Sequence, residues 1–394
     1  MRDLNNPGTI GGIGVVVLTY ETDAELLERC LGSIVAAWQS PPAGEPQTAL
    51  IDVVVADNDS PSLRAKTKAL TERLAAQSGA PLRFVPLARN FGFAGGINRG
   101  VEFLDTRISM VFLLNPDAEV EPDAIRRCGE ALLNAPLSTV SAAPKMLLSR
   151  STVGDGDADG EFVIDAVANA INAKGEAFNI GLGQPDLGQY DTPTACFGPC
   201  FGAALIRRSA FGSDQVGALD ESLFLYYEDV EWNWRAQILG FDSVTVPQAR
   251  VTHVMSSSTR DRPYDFKFRL TERNLLIAVV VCVPGLNAFG ITGRRMLGLI
   301  LGSLKGHYPL PGLRAVGGVL WRLPGLLRRR HRLQSQRRRS HAAILSFGEG
   351  EKTFFDAVRY QPIDRAGARA FAEARKPTTD HAATHPAAGL RLRE

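Results

Sequence analysis

The sequence predicts an α/β protein, a Rossmann-like, mostly parallel sheet flanked by helices, with a basic helical extension at its C-terminal end. Three observations predict it. Short β-branched apolar runs alternate with amphipathic stretches up to residue 115. The runs are apolar throughout, as strands covered on both faces are. Polar clusters follow each run, where ligands bind in open sheets.

Residues 13–18 read as the first strand and 23–38 as the first helix. Residues 51–56 make a second strand ending at Asp57, 63–76 a second helix, 82–85 a third strand and 110–114 a fourth. The polar clusters after them are Thr19-Tyr20-Glu21, Asp57-Asn58-Asp59-Ser60, Arg89-Asn90-Phe91-Gly92 and Asn115-Pro116-Asp117-Ala118-Glu119. Residues 151–191 are rich in Gly and Asp without periodicity and read as a long surface flap. A Gly-rich apolar segment at 198–206 leads to Leu219-Asp220-Glu221, a helix at 228–240 and a strand at 243–246.

Two constellations carry chemistry. Asp117, at a strand end, suits a divalent cation, with Asn115 offering an amide oxygen or a contact to a ligand. The same Asn-Pro-Asp also makes a turn that caps the next helix. Glu228-Asp229 sits at a helix start beside Tyr227, Glu231 and Trp232, where a carboxylate can act as a base and aromatics can stack on a sugar. Helix starts also welcome carboxylates for their own sake, and Trp232 also reads as core. Asp57 can accept from a nucleotide base, and the glycines of 92–96 allow close backbone approach to a nucleotide. His253 is either a further metal ligand or a structural histidine.

In order, Val-Val-Leu-Thr-Tyr (16–20), Ala-Asp-Asn-Asp-Ser (56–60), Asn-Phe-Gly-Phe-Ala-Gly-Gly-Ile-Asn-Arg-Gly (90–100), Leu-Leu-Asn-Pro-Asp-Ala (113–118), Leu-Asp-Glu (219–221) and Phe-Leu-Tyr-Tyr-Glu-Asp-Val-Glu (224–231) resemble the inverting family 2 glycosyltransferases of the GT-A fold. The likeness covers roughly residues 13–260 and is nearest to the bacterial rhamnosyltransferase branch. It implies that Thr19, Tyr20, Glu21, Asp57 and Asn58 hold the nucleoside, and that Asn90, Gly92, Phe93, Asn98 and Asn115 line the donor pocket. It further implies that Asp117 and His253 bind Mg²⁺ or Mn²⁺, that Asp229 with Glu228 does the catalysis, and that Tyr227, Glu231 and Trp232 meet the acceptor. The expected reaction moves one sugar, L-rhamnose from dTDP-rhamnose, to a hydroxyl of a glycan or polyprenyl-diphosphate-linked acceptor in cell-wall or surface polysaccharide synthesis. UDP-galactofuranose is the rival donor. Asn115-x-Asp117 departs from the family's Asp-x-Asp, and the Gln-x-x-Arg-Trp of processive relatives is absent.

Other classes fit less well. A dinucleotide oxidoreductase would need Gly-x-Gly-x-x-Gly after the first strand, where Thr19-Tyr20-Glu21-Thr22-Asp23 stands. A non-catalytic scaffold on this fold would have lost Asp117 or Asp229. A synthase glycosylating polyprenyl phosphate directly would depend less on a base.

The net charge of +2 hides a segregation. Residues 1–272 hold 23 Lys/Arg against 35 Asp/Glu, whereas 273–348 hold 13 basic residues and no acid. That block carries uncharged residues 274–293, interrupted by Pro284, Asn287 and three glycines, and the triplets Arg328-Arg329-Arg330 and Arg337-Arg338-Arg339. It reads as amphipathic helices on an anionic membrane surface, with a solvated appendage or a homo-oligomer contact as alternatives. Nucleic acid is not an expected partner, because stacking aromatics are scarce among the arginines. Five scattered cysteines and no signal pattern at the N-terminus suggest the cytoplasm, at the inner face of the cell membrane. The expected organisation is a catalytic domain over 1–265 (nucleotide-sugar half 1–125, acceptor half 126–265), a membrane-associating region over 266–347 and a C-terminal segment over 348–394, disordered from about 376.

Overall fold

In the computed structural model, which describes residues 12–40, 50–149, 162–254, 264–306 and 309–350, the first apolar run is β1 (Gly12–Thr19), buried along its whole length. It pairs in parallel with β2 (Leu50–Asp57), and β2 with β3 (Leu82–Pro86). On its other side β1 pairs in parallel with β4 (Ile108–Leu114). Val15, Val53 and Phe112 stand side by side in register, all fully buried. Stiff β-branched side chains fit such a two-sided core.

Alternation along β1 divides that core between the faces. Val15 and Val17 pack under Leu27, Leu31 and Ile34 of α1 (Ala24–Gln39), whose first turn is capped by Asp23. Leu70 of α2 (Arg64–Ser78) joins the same face. Val16 and Leu18 face Ala94, Ile97 and Val101 of α3 (Gly92–Glu102). Glycines of this helix also let it approach β1. A Cβ on Gly96 would stand 2.6 Å from the Leu18 side chain, and one on Gly100 2.5 Å from Val16.

The second half adds β5 (Ala118–Val120), α4 (Ala124–Asn134), β6 (Thr139–Leu148), β7 (Ile164–Ala166), β8 (Asn169–Ile171), β9 (Ala177–Asn179), β10 (Ala195–Cys196), β11 (Ala203–Arg207), α5 (Glu228–Ile238) and β12 (Asp242–His253). The sheet runs β3-β2-β1-β4-β11-β6-β12-β10, with β5 on β12 and β7 on β6. Only β11 reverses direction among the inner strands, antiparallel to both β4 and β6. The strand expected at 243–246 continues to His253, with a register shift between Val246 and Arg250.

Residues 162–191 correct the expectation of a surface flap. β7 joins the main sheet, β8 and β9 form a hairpin, and Ile164, Asp165, Asn169 and Ile171 are buried. Fully buried Lys145 donates to Asp186 at 2.9 Å and Asp191 at 2.5 Å, tying the rest of the segment to β6. Three-residue strands are too short to show a period. The earlier part of that reading, 151–161, and the expected disorder from 376 lie outside the described residues.

The extension forms α6 (Tyr264–Cys282), α7 (Asn287–Leu304), α8 (Pro309–Ser335) and α9 (His341–Leu345). The first half of its uncharged stretch, residues 274–283, is core. Every residue from Leu275 to Val283 is at most 1% exposed, packed against Val230, Trp234 and Ile238 of α5. Burying such side chains stabilises by roughly 1.5–3 kcal/mol each. Among the described residues no helix is long and apolar enough to cross a membrane.

The arginine triplets are also largely spent inside the protein. Arg330, Gln334 and Arg337 donate to the carbonyls of Val280, Val281, Cys282 and Val283, the orphan acceptors at the end of α6. Arg329 pairs with Asp220 and Glu231, and Arg339 with Asp242. What remains outside is an apolar stripe. Leu297, Leu301 and Leu304 on α7 and Leu313, Leu320, Trp321 and Leu327 on α8 are 40–86% exposed.

Candidate active site

The carboxyl ends of β1, β2 and β4, the head of α3 and the head of α5 enclose a cavity of about 560 Å³, within the roughly 300–1,000 Å³ of small-molecule sites. Of the residues singled out in the sequence, Thr19, Tyr20, Asn58, Asn90, Gly92, Phe93, Asn115, Asp117, Glu228, Asp229 and His253 line it. Asn58 and Asn90 knit the floor together. Asn58 donates to Asn90 Oδ1 and the Gly92 carbonyl and accepts from the Phe91 amide.

Asn115-Pro116-Asp117 does make the expected turn, closed by the Ala118 amide donating to the Asn115 carbonyl. The turn then enters β5, whose Ala118 pairs with His253 of β12. That register brings His253 Nε2 to 3.3 Å from Asp117 Oδ1 and 3.4 Å from Asn115 Nδ2. His253 Nδ1 lies 2.8 Å from Asp165 Oδ2. Burial pulls the imidazole pKa down, but hydrogen bonds to Asp117 and Asp165 outweigh it and lift it to about 10.

Opposite stands α5. Asp229 Oδ2 accepts from Asn169 Nδ2 at 2.8 Å, and Glu228 Oε2 is buried with no hydrogen-bond partner among the described residues. Burial, then the neighbouring Asp229 charge, pushes the Glu228 carboxyl well above the usual range. Burial also raises Asp229, but the Asn169 amide and backbone amides hold that rise back.

The loop before α5 is strained. Phe224, Tyr226 and Tyr227 have φ of 67°, 68° and 71°, values that persist in such residues only where surroundings enforce them. Gly92 makes room for the loop. Its own φ is +73°, and a Cβ there would stand 2.3 Å from the Phe224 carbonyl, which accepts from the Phe93 amide. From behind, buried Asn274 of α6 donates to the carbonyls of Leu223, Leu225 and Tyr226. Asn274→Leu strands those acceptors. It is expected to destabilise the protein by about 3 kcal/mol, measurable by urea unfolding, and to lower kcat more than donor binding.

Six expected site residues do not reach the cavity. Glu21 accepts from the amides of Ser62 and Leu63 at the head of α2. Asp57 is fully buried and paired with Arg64 at 2.8 Å, though its Oδ1 has no partner among the described residues. Asn98 clamps the Leu219 backbone and Glu221. Tyr227 bonds Ala177 and Gly175 through its hydroxyl. Glu231 is fully buried between Arg235 and Arg329, and Trp232 is core beside Phe201, its Nε1 donating to Gly217. These last three correct the expected acceptor wall, because α5 turns their face inward; Tyr226 and Phe266 line the cavity instead. Asp165, Asn169 and Asn274 were not legible as site residues. The one signal was a lone carboxylate inside the apolar run Val163-Ile164-Asp165-Ala166-Val167.

Residues 14–146 match the sequence model of the family described as Glycosyl transferase family 2. An N-acetylglucosaminyl-diphospho-decaprenol L-rhamnosyltransferase of Mycobacterium tuberculosis is 29% identical over 265 residues, covering 63% of this chain and 78% of that protein. Over these residues the chain is similar to glycosyl transferase family 2 proteins. A low-salt glycan biosynthesis hexosyltransferase of Haloferax volcanii is 25% identical over 185 residues, 46% of this chain and 53% of that one. The crystal structure of GalNAc-T7 with UDP, GalNAc and Mn²⁺ superposes with a TM-score of 0.58 at 16% identity. It covers 90% of this chain, which spans 59% of that one, and shows the shared GT-A fold.

The donor set at Asp117 fits a divalent cation in part. Neighbouring ligands of an octahedral ion with bonds of about 2.1 Å stand about 3 Å apart, close to the 3.3 Å between Asp117 Oδ1 and His253 Nε2. Asp165 holds the other ring nitrogen, as carboxylates do behind metal-bound histidines. Among the described residues no third His, Cys, Asp or Glu completes a cluster, so a bound ion would draw its remaining oxygens from the donor diphosphate and water.

Proposed function

We propose that this glycosyltransferase moves one L-rhamnosyl residue, with inversion, from dTDP-rhamnose to a hydroxyl of a polyprenyl-diphosphate-linked glycan. The transfer serves cell-wall or surface polysaccharide synthesis. The observation that carries it is a single cavity lined on one side by Asp117 and His253 and on the other by Glu228 and Asp229. The rhamnosyl donor and lipid-linked acceptor rest on the 29% identity to the mycobacterial enzyme.

Mg²⁺ or Mn²⁺, held by Asp117 and His253, would neutralise charge developing on the leaving diphosphate. Asn58 and Asn90 shape the donor floor beside Thr19 and Tyr20. Asp229 takes the proton of the acceptor hydroxyl. Asn169 keeps that carboxyl the more ionised of the adjacent pair, while the more strongly raised Glu228 serves as a neutral acid that can donate to a sugar oxygen.

The test is a thermal-shift panel of nucleoside diphosphates and nucleotide sugars with and without Mn²⁺. The expected outcome is Mn²⁺-dependent stabilisation strongest with dTDP-rhamnose. A UDP-sugar giving the larger shift moves the donor assignment, and no metal-dependent shift with any compound removes the catalytic reading.

The exposed stripe of Leu297, Leu301, Leu304, Leu313, Leu320 and Trp321 supports a seat on the inner face of the cell membrane. Purified protein is expected to co-sediment with phosphatidylglycerol liposomes more than with phosphatidylcholine ones. Equal, negligible co-sedimentation with both defeats this seat.

A further inference from the structure

Beside the cavity, α6 carries a line of residues that the transfer chemistry leaves unused. Phe266, Arg269 and Arg273 share one face of the helix at i, i+3 and i+7 spacing, and Phe266 itself lines the cavity. The Arg269 guanidinium carbon stands 5.9 Å from the Phe266 ring centre. At 1.5 Å per residue the line runs about 10 Å from the cavity wall to Arg273. There α8 supplies a third cation, for Gly318 lies between Arg273 and Arg322. A Cβ on Gly318 would stand 3.1 Å from Arg273 Cδ and 3.8 Å from Arg322 Nη1.

These arginines lack carboxylate partners among the described residues. Arg273, only 8% exposed, donates to the carbonyls of Ser222 and Leu223 and to Asn274 Oδ1. Arg322 donates to the Gly318 carbonyl. Asp220, whose charge acts on Arg273, is already held by Arg329 at 2.5 Å. Burial, then the charges of Arg322 and Arg269, brings the Arg273 pKa down to about 10. Like charges gathered in a half-buried place without a counter-charge are costly, and a bound anion relieves that cost. Guanidinium forks match phosphate oxygens in pairs. The level on α8 is also that of exposed Leu320 and Trp321, where a lipid would leave its bilayer.

We propose that Arg269, Arg273 and Arg322 form a seat for the diphosphate of a polyprenyl-diphosphate acceptor, holding it at the membrane end of the cavity with its sugar directed inward. The seat rests on the lipid-linked acceptor reading above.

Calorimetric titration of the full chain with farnesyl diphosphate tests it. Saturable binding is expected, weakened at least tenfold by Arg322→Gln and by Arg269→Gln. Arg328→Gln, an equal loss of charge on the same helix, should weaken it less than twofold. Binding should persist in Asp117→Ala, which separates the seat from the donor's diphosphate site, and inorganic pyrophosphate should compete. Equal weakening by all three arginine variants, failure of pyrophosphate to compete, or displacement of the probe by phosphatidylglycerol vesicles at the same phosphate concentration overturns the seat. If no lipid-diphosphate glycan accepts a sugar while Arg322→Gln still weakens the probe, the acceptor reading falls and the seat stands. Transfer to such a glycan with an unaltered acceptor KM in Arg322→Gln overturns the seat alone.

Discussion

Asp229→Asn is expected to reduce the transfer rate about 10²–10⁴-fold, the usual worth of a positioned base, while the thermal shift given by nucleotide and Mn²⁺ is kept. Asparagine keeps the shape and can still meet Asn169, so loss of activity without loss of donor binding isolates proton removal. Activity surviving the change would favour transfer to a phosphate oxygen, which needs no base. The acid limb of kcat/KM carries the same information. The base must be ionised, and burial raises its folded pKa, so the rate should fall with decreasing pH above the usual carboxylate range. Asn169→Ala removes the side-chain bond that lowers that pKa. The limb should then move to higher pH, whereas a purely structural role for Asn169 would lower the plateau and leave the limb in place.

Asp117→Ala has the second large expected effect. With Asp117 gone, His253 keeps Asp165 and loses the one carboxylate that stands beside its Nε2 on the cavity side. Nucleoside diphosphate at about 100 times its Kd stabilises a protein by about 2.7 kcal/mol. The Mn²⁺-dependent part of that stabilisation should vanish in the variant, with transfer reduced roughly 10³-fold. A variant that still shows the full Mn²⁺-dependent shift would move the metal elsewhere in the cavity.

The sequence made the first half of the sheet legible and the second half much less so. Strands such as Val15-Val16-Val17 and Val53-Val54-Val55 announce themselves because both faces are buried, and the polar residues after them mark the cavity rim. Residues 139–148 hide β6 behind Pro144 and Lys145, whose charge is met by Asp186 and Asp191 more than forty residues on. Asp165 and Asn169 reach the site through pairing of three-residue strands, a long-range fact without local signature. The helix start at Glu228 was visible, yet which acid faces the cavity was not. Glu231 turned inward because arginines of α5 and α8 wait for it there. In the basic block, carbonyl acceptors at the end of α6 take up Arg330 and Arg337, which reading along the chain leaves free.

The burial of α6 against α5 bears on how the protein holds together. The strand-rich half cannot be cut away at residue 265 as an independent unit, because Trp234 and Ile238 share a core with Leu275 to Val283. Asn274 also braces the loop that presents the two acids. A force that lifted α6 from its seat would therefore act directly on the loop and helix that carry Glu228 and Asp229.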